Sequence, residues 1–270
     1  MPVMPPVSAT PRLPALDQLR GLALVWMTGF HLSYDLQYFG YFQANFYGDP
    51  FWTLQRSAIV SLFLLCAGLG QALALQQGQD WPRFWRRWRQ IAACALLVSA
   101  GSWYLFAQAY IYFGILHGIA LLLLVVRWLG GRWRRGSMAW LLLAALALLL
   151  PMLARLAHAR WPQALDFLNQ RAWNWLGLIS HKPITEDYAP LLPWLAPVCL
   201  GMALGGYLQR HPLAVWQGAA WRLQASALGA MLRPLQRGLA VLGRWSLAYY
   251  MLHQPILFGA LAGLAWLRGV

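Results

Sequence analysis

The sequence predicts an all-α protein, a polytopic membrane helix bundle with about seven transmembrane helices plus interfacial amphipathic helices. Hydrophobic residues make up 60% of its 270 residues and charged residues only 10%, whereas about a quarter of a soluble domain is charged. Its apolar runs reach the roughly 20 residues that a helix needs to cross a bilayer. Arginine-rich segments separate these runs. We therefore expect one integral membrane domain over residues 1–270.

Seven apolar runs have the length of membrane spans. We place them at about 20–42, 54–76, 90–108, 110–128, 137–155, 191–208 and 245–267. The stretch 213–243 differs because Arg222, Arg233, Pro234 and Arg237 interrupt its apolar pattern. Such a mixed segment is typical of one or two amphipathic helices in the membrane interface. No convincing internal repeat relates the runs, so the sequence does not favour an inverted-repeat transporter.

Arginine is distributed unequally between the two sets of loops. Residues 77–89 hold four arginines and one acid, residues 127–136 hold four arginines and no acid, and residues 209–244 are also basic and free of acids. Excess arginine and lysine mark cytoplasmic loops. The N-terminus is therefore predicted to be cytoplasmic, with residues 45–51 and 156–190 on the opposite side.

The net charge of +14 does not indicate a nucleic-acid-binding protein. A nucleic-acid binder collects its basic residues on one face of a folded domain, whereas here they lie in short loops between apolar runs. The three cysteines, Cys66, Cys94 and Cys199, lie in separate apolar runs without the spacing of metal ligands. We interpret them as packing residues and expect neither a metal site nor a nucleic-acid partner.

The first span contains the pair His31 and Asp35. A charged group inside a membrane costs several kcal/mol unless it is paired or hydrated, so each is a functional candidate. The two residues are four positions apart and share one helix face. A carboxylate beside an imidazole stabilises the protonated ring and can fix its tautomer, as a general base requires. The alternative is a structural His–Asp pair that joins helices.

Arg20 precedes His31 by eleven residues, which is about three helical turns. The two side chains therefore face the same way, roughly 16 Å apart along the helix axis. A guanidinium group matches the geometry of phosphate, and a pantetheine arm can cover such a distance. The alternative is that Arg20 pairs with Asp17, three residues earlier, and only marks the cytoplasmic end of the helix.

Further polar and aromatic residues fall in the outer half of the predicted bundle. These functional candidates are Arg56, His117, Asp187, Trp194 and His253. A lone histidine in a membrane helix is more often a hydrogen-bonded bridge between helices than a catalyst. Several candidates at one depth favour a site.

Five blocks of the chain carry these residues in order: LDQLRGLALVWMTGFHLSYDLQYFG at 16–40, QRSAIVSLFLLCAG at 55–68, YFGILHGIAL at 112–121, DYAPLLPWLAPVCLGMALG at 187–205 and LGRWSLAYYMLHQPIL at 242–257. In order and spacing the blocks resemble the catalytic-domain family of heparan-alpha-glucosaminide N-acetyltransferase. That family is similar to the acyltransferase-three O-acetyltransferases, within a wider transmembrane acyltransferase superfamily.

The resemblance implies that the arginine and the histidine of the first helix serve acyl-CoA handling and catalysis. Arg20 and His31 match the family's spacing. It also implies functional roles at His117, Asp187 and His253. Acetyl-CoA would be the co-substrate, and the chain would be a multi-pass protein of a bacterial inner membrane.

We therefore expect an acetyl-CoA-dependent O- or N-acetyltransferase. It would move an acyl group from cytoplasmic acyl-CoA to a hydroxyl or amine of an envelope sugar or a lipid-linked acceptor. His31, oriented by Asp35, would act as the general base, and Arg20 would hold the CoA phosphates. No metal cofactor is expected.

Two other classes of function stay open at this point. A proton-coupled transporter of a small solute could use the same buried histidine and carboxylate as a proton relay. A b-type haem protein could use His31, His117 or His253 as axial ligands. The missing repeats and the spacing of Arg20 and His31 count against the transporter.

Overall fold

The computed structural model describes residues 13–132, 137–210 and 227–267. Within these ranges every regular element is helical, and an isolated parallel bridge joins Phe113 to Tyr188. The helices are α1 Pro14–Tyr38, α2 Pro50–Gln76, α3 Trp81–Phe106, α4 Ile115–Arg132, α5 Ser137–Arg160, α6 Pro162–Leu165, α7 Leu191–Arg210, α8 Ala227–Arg244 and α9 Ser246–Leu267. The predicted all-α fold is confirmed.

Two loop acids begin helices. The side chain of Asp49 accepts a hydrogen bond from the backbone N–H of Phe51 at 2.8 Å, and the Asp80 side chain accepts one from Arg83 at 3.1 Å. Each acid is the N-cap of its helix, α2 or α3, and a proline follows in the first turn. Both features are common at helix starts because the first N–H groups lack partners within the helix.

Five helices of the described chain are long and apolar enough to cross a membrane. They are Pro50–Gln76, Trp81–Ala109, Met138–Arg160, Leu191–Arg210 and Ser246–Leu267. Ile115–Gly131 is apolar but shorter, and α1 has sufficient length at 25 residues but is more polar. The multi-pass helical bundle is therefore confirmed, whereas the predicted number of seven spans is not.

The predicted amphipathic region corresponds in part to α8, and residues 211–226 lie outside the described ranges. A Cβ atom on Gly21 would overlap the backbone of Leu239, and one on Gly243 would overlap the backbone of Asp17. Because the residue pairs run in opposite directions, α8 lies antiparallel to α1 and in close contact with it. The helix therefore packs lengthwise on α1, and its location in the membrane interface stays a prediction.

The main core lies between α2, α4, α5 and α7. Its most deeply buried side chains include Leu64, Leu122, Val126 and Val198. A smaller cluster of Leu24, Met27 and Ile59 joins α1 to α2, and Tyr249 and Tyr250 of α9 pack against it. This second cluster brings the middle of α1 beside α9. Cys66 and Cys199 are buried and free, as expected for packing residues.

The loops collect at two ends of the bundle. At one end Arg127 of α4 donates a hydrogen bond to the carbonyl of Gln79, after α2. At the other end Tyr47 donates to Glu186 at 3.4 Å, so the predicted outer loops meet. The grouping of these loops agrees with the predicted topology. Which end faces the cytoplasm stays a prediction, and Arg134 and Arg135 lie outside the described residues.

Candidate active site

α1 and α9 meet in a chain of three polar side chains. His31 Nδ1 lies 2.6 Å from Oε1 of Gln254. The amide nitrogen of the same glutamine donates to Asp35 Oδ1 at 2.8 Å. His31 and Asp35 do share a helix face, since both contact one side chain of α9. The predicted pair is nevertheless indirect, because Gln254 stands between the imidazole and the carboxylate.

A second histidine, His253, lies beside His31, with 5.0 Å between the ring centroids. Its Nδ1 is 2.8 Å from the backbone carbonyl of Tyr250, and the ring of Tyr249 stacks on it with an interplanar angle of 8°. A carbonyl oxygen only accepts, so Nδ1 of His253 is the protonated nitrogen. Nε2 is then an acceptor, and this buried atom has no partner among the described residues.

Two buried acceptors near His31 lack partners within the described part of the chain. They are Nε2 of His253 and Oδ2 of Asp35, whose residues are 6% and 1% exposed. An unsatisfied buried polar group costs about 1–3 kcal/mol and is rare in folded proteins. Both atoms can accept a hydrogen bond from a bound group.

Arg20 lies at the other end of α1, roughly 16 Å from His31 along the helix. Its Nη1 is 3.3 Å from Asp17 Oδ1, so the predicted alternative pairing is present. Asp17 also faces Arg244, whose Nε is 3.8 Å from Oδ2, and the charge of Arg87 is close enough to act on Arg20. The one carboxylate of Asp17 neutralises only part of the charge of these arginines, so the cluster keeps a net positive charge.

His117 is part of a closed network at the start of α4. Its Nδ1 accepts the backbone N–H of Gly114 at 3.3 Å, and its Nε2 lies 3.1 Å from the hydroxyl of Ser99. That hydroxyl in turn donates to the carbonyl of Ile111 at 2.6 Å. Both ring nitrogens of His117 are therefore occupied, and its hydrogen bonds do not reach His31 or His253.

Asp187 supports the same helix start. Its Oδ2 accepts the backbone N–H of Ile115 at 2.7 Å, which caps α4. Burial raises the pKa of the Asp187 carboxyl, and the Ile115 N–H with the charges of Lys182 and Arg56 opposes the rise. Asp187 therefore acts on the backbone of α4 in this structure.

Arg56 belongs to a polar group at the end of the bundle where Tyr47 contacts Glu186. Its guanidinium carbon is 5.9 Å from the centroid of the Tyr47 ring, and the Lys182 ammonium is 5.3 Å from the same centroid. Burial lowers the pKa of Lys182, and the charge of Arg56 adds to the effect. The Tyr47 hydroxyl lies 3.2 Å from that of Tyr34, one turn beyond His31.

Of the predicted candidates, the structure gathers three at one place: His31, Asp35 and His253. Trp194 instead packs against the main core. Sequence reasoning missed Gln254, which connects two of the three. The available signal was an amide side chain next to His253 and before Pro255, inside an apolar run.

The described ranges contain no group of three or more histidine, cysteine, aspartate or glutamate side chains that could hold a metal ion. The polar side chains that meet here are the imidazoles of His31 and His253, the carboxylate of Asp35 and the amide of Gln254. This set can accept, hold and pass on protons, which is the chemistry of acid–base catalysis.

The model of one protein family, described as "Heparan-alpha-glucosaminide N-acetyltransferase, catalytic", matches residues 12–255. The chain belongs to this family. The match covers most of the sequence and includes His31, Asp35, His253 and Gln254. Membership in the family implies a membrane-embedded transferase of the acetyltransferase type. No curated protein and no solved structure matches the chain.

Proposed function

We propose that the protein transfers an acetyl group from acetyl-CoA to a hydroxyl or amine of an envelope sugar or lipid-linked acceptor, with His31 as the general base. The observation that carries the proposal is the contact of half-buried His31 with buried His253, within the region that matches the acetyltransferase family. The pair offers acceptors for protons at a depth where few polar groups are tolerated.

Nε2 of His31 takes a proton from the acceptor in the proposed reaction. The acceptor oxygen or nitrogen then forms a bond to the thioester carbonyl carbon, and the carbon–sulfur bond of acetyl-CoA breaks. The proton held by His31 passes to the departing thiolate, so that free CoA and the acetylated acceptor leave. A route through acetyl-His31 would use the same nitrogen as the nucleophile.

His253 has a narrower role in this scheme. Its Nδ1 hydrogen is directed at the carbonyl of Tyr250, so neutral His253 presents only a lone pair at Nε2. It can donate a hydrogen bond to a developing oxyanion only when it is protonated. We therefore assign it to holding a proton beside His31.

The arginine cluster around Arg20 supports a donor site at the opposite end. Arg20 and Arg244 share the carboxylate of Asp17, which leaves positive charge for the phosphates of CoA. From there the pantetheine arm would extend along α1 to His31. This end would face the cytoplasm of a bacterium, with the protein in the inner membrane and its N-terminus inside.

The test is transfer from acetyl-labelled acetyl-CoA by purified protein mixed with an envelope extract. We expect label in an envelope component with wild-type protein and none with His31→Ala. His181→Ala is the matched control, because His181 is an exposed loop histidine. Proton-coupled solute uptake into proteoliposomes, without any acetyl transfer, would contradict the proposal in favour of a transporter.

A further inference from the structure

The side-chain amide of Gln254 bridges two residues of α1, and these hydrogen-bond partners determine which way the amide is turned. It comes from α9 and contacts two residues of α1, with Oε1 at 2.6 Å from His31 Nδ1 and Nε2 at 2.8 Å from Asp35 Oδ1. Asp35 is 1% exposed and receives this amide as its hydrogen-bond partner. The bridge therefore spans 223 residues of sequence and ties the two helices together at the candidate base.

A carboxylate has no hydrogen to donate, so the group that faces Asp35 must be the NH₂ of the amide. The carbonyl oxygen of Gln254 is then turned toward His31. That oxygen only accepts, and Nδ1 of His31 must carry the ring hydrogen. Nε2 is left with a free lone pair, and no described residue forms a hydrogen bond to it.

We propose that Gln254 is the positioning residue of the transfer reaction, which holds His31 in the tautomer that exposes Nε2. Asp35 acts on His31 through this amide and not by direct contact. The amide does not titrate, so the His31 ring keeps its orientation when Nε2 gains or loses a proton. The inference rests on the proposed function, since it concerns the base of that reaction.

A purely structural bridge between α1 and α9 would also explain the hydrogen bonds. Both explanations predict the Nδ1–H tautomer in wild type, because the hydrogen bonds are the same in each. They differ in what the loss of the bridge does to transfer. The loss of a structural bridge lowers the stability of the fold and leaves kcat per folded molecule near wild type, whereas the loss of a positioning residue lowers kcat because it releases the other tautomer.

The first test is the tautomer of His31 in the full-length protein with ¹⁵N-labelled histidine, measured by NMR and assigned by the signals missing from His31→Asn. Wild type should show the Nδ1–H form. Gln254→Met has similar size but no hydrogen bonds, and it should show a mixture of both forms. Asp35→Asn keeps the volume but allows the amide to flip, so the Nε2–H form should appear there too.

The second test is steady-state transfer from acetyl-CoA by the same proteins. Gln254→Met should lower kcat by about ten- to a hundredfold, part of the 10²–10⁴ that a general base contributes, while KM for acetyl-CoA stays within about twofold. Gln254→Glu should recover most of kcat. In its protonated form that side chain can donate to Asp35 and accept from His31, so it preserves both hydrogen bonds.

The outcomes separate this inference from the proposed function. An unchanged Nδ1–H tautomer in both Gln254→Met and Asp35→Asn would overturn the role of Gln254, even if transfer were observed. The tautomer measurement does not need any transfer. A mixture of tautomers in the variants, in a protein that transfers no acetyl group, would overturn the proposed function and show only that Gln254 sets the tautomer of His31.

Discussion

Three histidines of the helix bundle, His31, His117 and His253, occupy two kinds of environment. At the start of α4, His117 accepts from the Gly114 N–H and directs Nε2 to Ser99. Where α1 meets α9, Nδ1 of both His31 and His253 is occupied, while no described residue bonds to Nε2 of either ring. We call the network of His117 closed, because both ring nitrogens have partners, and it stabilises the start of α4. We call the environment of His31 and His253 open, because Nε2 of each ring can exchange a proton with a substrate. The neighbours of an imidazole, and not its depth in the bundle, separate the two cases.

The largest expected effect is on the open environment. His31→Ala removes the proposed base and should lower transfer by about 10²–10⁴-fold, the usual contribution of a general base. His181→Ala, in an exposed loop, should transfer at the wild-type rate. Steady-state transfer by the three purified proteins checks this. If His31→Ala kept most of the turnover, a histidine with a free Nε2 would not be the general base, and the proposed difference between the two environments would be wrong.

A substitution far from both environments separates donor binding from chemistry. Arg20→Ala should weaken CoA binding by about 1.5–3 kcal/mol, the loss of a charge-assisted hydrogen bond to phosphate, or roughly ten- to a hundredfold in Kd. Arg20→Lys should recover only part, because a point charge replaces a planar fork. Calorimetric titration of CoA into each protein gives the Kd.

Asp17→Asn is the control for Arg20. It removes the carboxylate that Arg20 and Arg244 share, so it should not weaken CoA binding. Equal destabilisation of the fold by Arg20→Ala and Asp17→Asn, with CoA affinity unchanged in both, would show that Arg20 serves only as the partner of Asp17.

A substitution in the closed network should lower the stability of the fold and leave the transfer rate unchanged. His117→Ala leaves the Gly114 N–H and the Ser99 hydroxyl with fewer partners, which should cost about 1–3 kcal/mol of the free energy of unfolding. Turnover per folded molecule should remain close to wild type. Thermal unfolding in detergent, alongside transfer assays, measures both. A collapse of kcat at an unchanged melting temperature would assign His117 to the catalytic centre instead.

The smallest expected effect concerns pH and the cap of α4. Burial raises the pKa of Asp187 above its ordinary value of 3.8, so the folded protein binds this proton more tightly than the unfolded chain does. The resulting stability is present below that ordinary value and is lost as pH rises through the raised pKa. Asp187→Asn keeps a capping oxygen and should remove this part of the pH dependence. Unfolding curves of both proteins that shift equally with pH would contradict the assignment.

Much of the fold could be predicted because single helices carry their own signals. The predicted spans 54–76, 191–208 and 245–267 correspond to α2, α7 and α9 within a few residues. α1 begins at Pro14, earlier than predicted, because proline suits the first turn of a helix. That turn contains polar residues, so the apolar pattern did not include it in the predicted span. The position of α8 depends on close contacts at Gly21 and Gly243, which no local pattern reveals.

The candidate site could be predicted only in part, for a related reason. His31 and Asp35 share a helix face, and helical spacing shows that directly. Their connection runs through Gln254, which lies 223 residues after His31 in the sequence. The closed network of His117 likewise depends on Ser99 of a neighbouring helix. Contacts between segments that are far apart in the sequence determine which polar side chains keep an atom without a hydrogen-bond partner. A single sequence does not show those contacts.

The most direct test of the account compares two variants in a single turnover of acetyl-CoA. Protein in excess over acetyl-labelled acetyl-CoA is mixed with an envelope extract, and the transfer rate is measured for His31→Ala and His117→Ala. We expect His117→Ala to transfer at least about a hundredfold faster, because only His31 provides the general base. Equal rates for the two variants, or faster transfer by His31→Ala, would contradict the central claim.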